Sequence, residues 1–114
     1  MAKLVVIAFC LSDRDNMWFL NEAGRISMIP RTIDKVTEII KLFRERGVPF
    51  LMREYDIGAL AHGNEANFNK DIVNQLRTIA RIDMQNSGKC KEPSVMSFII
   101  PDKEITTPTK EITG

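Results

Sequence analysis

The 114-residue chain is short of the residues that most often carry chemistry: it has one histidine, one tryptophan, one tyrosine and two cysteines. Two thiols do not make the disulfide framework of a small secreted scaffold, and Cys10 and Cys90 stand in no C-x-x-C or other zinc spacing. Both are expected reduced, in a cytoplasm. Glycine-rich phosphate cradles are missing too. The sequence holds neither G-x-x-x-x-G-K-[ST] nor G-x-G-x-x-G, and it lacks the G-x-S-x-G of a serine hydrolase. No stretch nears the roughly 18 apolar residues of a membrane span, and no small-residue cleavage site follows the opening "MAKLVVIAFCL". The expectation is a soluble protein with neither a signal peptide nor a membrane partner. With 16 Lys+Arg against 15 Asp+Glu, no global field draws the chain to nucleic acid.

What is present is an ordinary globular composition, 44% apolar and 27% charged, in a length that fits one domain able to bury its own core. Residues 4–11 form an unbroken apolar run rich in Val and Ile, the pattern of a strand buried on both faces. Beyond "SDRDN", the stretch "MWFLNEAGRISMI" has two short apolar runs about Asn21 to Gly24, which predicts a hairpin or an irregular excursion. From Thr32 the period changes. Ile33, Val36, Ile39, Ile40 and Phe43 recur every three or four residues, so they line one face of a helix, with Thr32 to cap it and Gly47 to stop it. "VPFLM" then reads as a second buried strand, and strand, helix, glycine, strand is the grammar of a parallel sheet.

"REYDIGALAHGNEAN" reads as a loop, followed by a helix that Asn67 or Asn69 caps and whose stripe is Ile72, Val73, Leu76, Ile79 and Ala80. "SVMSFII" is a third strand, stopped by Pro101. The expected fold is therefore α/β: a single Rossmann-like domain over residues 1–101, with a three- to five-stranded, mostly parallel sheet flanked by helices. Residues 102–114, which repeat KEIT, are expected to be a frayed tail or a small hairpin.

In parallel sheets ligands bind beyond the carboxyl ends of strands, which draws attention to Asp13 and Asp15. A D-x-D there can ligate magnesium, or divide nucleophile and acid roles as in haloacid-dehalogenase-like phosphatases. Those enzymes also need a Ser or Thr at the end of the next strand, and "VPFLMRE" has none. Asx residues after a strand are common turn formers, so a turn is the preferred reading. His62 is a candidate general base that Glu54, Asp56 or Glu65 would orient, against the plainer reading of a solvated loop histidine. Cys90, between Lys89 and Lys91, is a candidate reactive thiol because nearby positive charge favours the thiolate. Trp18 is a candidate pocket wall, or simply core.

The order of parts resembles isochorismatase-like cysteine hydrolases over residues 4–60, carried by "LFRERGVPFLMREYDIGAL": an arginine-bearing helix end, Gly-Val-Pro, a strand, then an acidic and aromatic turn. The resemblance implies a shortened α/β relative of those enzymes that has lost the hydrolase chemistry. The family's catalytic positions have no counterpart. Ala8 stands where its aspartate closes the first strand, its lysine has no match, and Cys90 precedes a strand instead of following one.

These readings converge on a small binding or regulatory domain without catalysis. Its expected crevice lies between "SDRDN" and "REYDIGALAHGN", with Asp13, Asp15, Trp18, Glu54, Tyr55 and His62 as ligand-binding candidates and a small molecule or a protein as partner. No cofactor is expected. The alternative is a hydrolase, either an amide or ester hydrolase of the isochorismatase-like kind or a magnesium-dependent phosphatase using Asp13 and Asp15. Self-association stays open, because a sheet this small has edges to cover.

Overall fold

Strand β1 (Lys3–Phe9) is the axis of the molecule, and its Leu4 to Phe9 side chains are all buried. Alternation along a strand sends successive side chains to opposite faces, so the run needs cover on both. The structure, a computed structural model that describes residues 2–27 and 30–101, supplies it. On one face Val5, Ile7 and Phe9 pack against α1 (Asp13–Ile26) and α2 (Ile33–Arg46); on the other Leu4, Val6 and Ala8 pack against α3 (Ile57–Leu60) and α4 (Lys70–Asn86). The expected residue 102–114 hairpin or tail lies outside the described residues.

The sheet corrects the expected fold class. Its order is β2-β1-β3, with β2 (Phe50–Asp56) and β3 (Ser94–Ile100) each antiparallel to β1, so it is not a mostly parallel Rossmann-like sheet. The cause is one unforeseen helix. The segment expected as a hairpin is α1, and with α1 and α2 both between the first two strands the chain goes down the sheet and back. It therefore re-enters at the end it left: the Cys10 N–H donates to the Pro49 carbonyl at 3.0 Å, and Phe9 faces Phe50. A single crossover helix would have delivered a parallel strand. Strand β2 also runs on through "REYD", which reads as loop in the sequence. The βαβ grammar survives only between β2 and β3, which run parallel to each other on either side of β1 and are joined through α4.

Local signals were otherwise obeyed. The Thr32 hydroxyl accepts from the Lys35 N–H at 3.2 Å, Asn69 caps α4 through the Ile72 N–H at 3.1 Å, and Gly47 closes α2 with φ 68°. The first core is largely aromatic. Phe43, fully buried, stacks between Phe9 and Phe19 at 5.0 Å from each and meets Phe50 at 5.7 Å.

The cysteines, expected as separate thiols, are bonded: Cys10, just past β1, and Cys90, just before β3, form a disulfide across 80 residues of sequence. The antiparallel pairing of β1 with β3, Phe9 facing Ser94, brings them together. Cytoplasmic placement, argued from free thiols, loses that ground. Among the described residues no helix is long and apolar enough to cross a membrane.

Two stability measurements follow. Phe43→Ala removes the ring shared by three aromatic contacts and should cost about 3–5 kcal/mol in denaturant unfolding. Cys10→Ser, without reductant, should cost roughly 4 kcal/mol through the long loop it reopens, and reductant should lower the wild-type melting point comparably; equal melting points would show that the bond contributes nothing.

Candidate functional site

Asp13 and Asp15 open α1, in the first turn where backbone N–H groups lack partners and the helix dipole favours negative charge. Residues two apart on a helix do not face each other, so a D-x-D placed here turns its carboxylates apart and cannot close them on one ion. Asp15 has partners of its own: Oδ2 accepts from the Ser12 hydroxyl at 2.9 Å, and Oδ1 lies 3.7 Å from Arg46 Nε. Ser12-x-x-Asp15 has the sequence form of a capping box, a signal that announces α1, although the Ser12 hydroxyl is spent on the Asp15 carboxylate and does not cap the backbone.

Trp18, one turn further, is half-buried at the rim of the aromatic core, 6.3 Å from Phe19, and the Arg46 guanidinium lies over its ring at 4.3 Å from the centroid. Asp15, Trp18 and Arg46 thus fasten the start of α1 to the end of α2.

The other candidates lie elsewhere. Because β1 and β2 are antiparallel, their carboxyl ends are at opposite ends of the sheet: Phe9 faces Phe50, while Asp56 faces Lys3. The seven residues between span roughly 20 Å. "SDRDN" and "DIGALAHGN" therefore do not converge, and the expected crevice is absent. Glu54 and Tyr55 are split as well, on opposite faces of β2. Glu54 pairs with Lys3 at 3.5 Å, and Tyr55 joins the α4 core. His62 is exposed, in the left-handed region at φ 53°, in the turn after α3 where its N–H donates to the Ala59 carbonyl at 3.2 Å. The Glu65 side chain lies outside the described set. Cys90 is buried and bonded, so it offers no free thiolate. Among the described residues no three His, Cys, Asp or Glu side chains gather to hold a metal ion.

Sequence reasoning passed over three arginines and the outer edge of β3. Arg53 on β2 forms an ion pair with Asp83 of α4, which holds its guanidinium pKa above the ordinary value. Arg77, also on α4, donates to the Ser97 hydroxyl at 2.9 Å and the Val95 carbonyl at 3.1 Å. Beside β3 lies an open depression of about 440 Å³ lined by Leu4, Arg31, Val73, Ser97, Phe98 and Ile99, with Pro101 at its end. Phe98 belongs to the α1/α2 side of the sheet, Leu4 and Val73 to the α4 side. The depression therefore wraps the edge of the strand.

Compared with models of protein families, with curated proteins and with solved structures, the chain matches none. The likeness to isochorismatase-like hydrolases rests on its string of residues alone.

A double-mutant cycle between Trp18 and Arg46 should give a coupling of about 0.5–1 kcal/mol, whereas Asp13→Asn, at an exposed position, should shift stability by less than about 0.5 kcal/mol. A zero coupling would leave Arg46 joined to α1 through Asp15 alone.

Proposed function

We propose that the protein is a binding domain without catalysis of its own, and that it takes an extended protein segment along the outer edge of β3. The observation that carries this reading is the contrast between the two edges. The outer strand β2 carries Arg53, Glu54 and Asp56, whereas β3, "SVMSFII", has no charged residue. Edge strands present unpaired N–H and C=O groups that template further pairing, and charge is a common means of blocking it. One edge is blocked in that way; the other is not.

Three features support the reading. Among the described residues only β1 pairs with β3. Ile99 on that strand is 50% exposed, an apolar contact for an incoming segment. The depression extends along Ser97 to Pro101, drawing walls from both faces as a strand laid edge-on requires. Strand addition of this kind takes its affinity from main-chain hydrogen bonds and its specificity from alternate side chains. Arg77, occupying the Val95 carbonyl, marks where acceptance begins. The absence of catalysis draws support from the scatter of Asp13, Asp15, His62, Glu54 and Tyr55 over two ends and two faces of the sheet.

The test uses a soluble probe, a peptide of alternating valine and threonine with a lysine pair at one end, added in excess. Amide exchange within Ser97 to Ile100 should slow roughly tenfold, with β2 amides unchanged. Unchanged exchange in β3, or equal slowing on β2, would sink the reading.

A further inference from the structure

We infer that the segment received at this edge is β3 of a second copy of the chain, giving a two-fold dimer with a continuous six-stranded sheet. This rests on the edge reading above and adds the identity of the partner.

The argument is one of register. In an antiparallel pair, residues that face each other point to the same side of the sheet, so a two-fold axis normal to the sheet must pass through a residue that faces its own copy. On β2, an axis at Arg53 sets two guanidinium groups opposite each other, one at Glu54 sets two carboxylates opposite and one at Tyr55 sets Glu54 against Asp56; like charges directly opposite are destabilising, which leaves β2 only the registers centred on Phe50 to Met52. On β3 no register brings charge to charge within the strand, because the strand has none. An axis at Ser97 is excluded by its surroundings, since each Ser97 carries an Arg77 guanidinium at 2.9 Å and the two would meet at the axis. Moving the axis to Phe98 separates them. It pairs Phe98 with Phe98 of the second copy on the α1/α2 side, sets Ser97 against Ile99, and sets Met96 against Ile100. The half-exposed Ile99 is thereby covered, and the paired residues coincide with the part of β3 that borders the depression. Pro101, with no N–H, ends the pairing.

Sedimentation of the full-length chain should give a mass twice the 13.0 kDa of one chain. Ile99→Lys should return it to the single-chain mass while keeping the melting transition, and Met52→Lys, at a 37% exposed position on β2, should leave the dimer intact. Phe98→Cys should give an interchain disulfide on a non-reducing gel. A single-chain mass for the full-length protein at every concentration overturns the inference, including the case in which residues 102–114 take the edge themselves. So does a dimer that survives Ile99→Lys or dissociates in Met52→Lys. A single-chain mass together with peptide-slowed exchange at β3 would overturn only the second copy; a single-chain mass without that slowing would overturn the edge reading too.

Discussion

Burial of β1 on both faces is the constraint from which the rest of the architecture follows. A strand whose Val5, Val6, Ile7 and Ala8 are all removed from water must have a sheet neighbour on each side to satisfy its backbone and a layer on each face to cover its side chains. In a chain of this length those demands are met with two more strands and two helical layers. Among the described residues β1 has no free edge, and β2 and β3 have one each. The helices divide unequally. The pair α1 and α2 covers one face through an aromatic core, and α4 covers the other with Val73, Leu76, Ala80 and Met84.

Most of these parts could be read from the sequence because each is announced locally. The Ile33 to Phe43 stripe, the Thr32 cap and the Gly47 stop all lie within sixteen residues, and the structure uses each of them. α1 could not be read the same way. Its exposed surface carries Met17 and Leu20 while Phe19 between them is buried, so the apolar residues are adjacent instead of periodic, and Gly24, a poor helix former, lies within its last turn. The clearest sign of it was Ser12-x-x-Asp15, masked by reading the aspartates as a turn or as chemistry. One missed helix was enough to invert the sheet, because the number of helices between two neighbouring strands sets whether the chain returns parallel or antiparallel.

The site followed the sheet. A crevice between loops leaving the carboxyl ends of β1 and β2 exists only if those strands are parallel; with the polarity reversed, the same residues stand at opposite ends. The disulfide was hidden for a related reason. No spacing of two cysteines 80 residues apart specifies a bond, and only the antiparallel pairing of β1 with β3 places the residue after one beside the segment before the other.

The charges of β2 are also paired within the chain, and that sharpens the contrast between its edges. Arg53 reaches α4 through Asp83, and Glu54 reaches β1 through Lys3, so these groups have partners within the chain as well as standing on an edge strand. On the opposite side Arg77 makes the corresponding reach from α4 to β3, but it lands on Val95 and Ser97 and leaves the strand without charge beyond them. The same helix therefore fastens both edge strands with arginine chemistry, once with the cation on the strand and once with the cation on the helix. That exchange of sides is what leaves charge on one edge strand and none on the other.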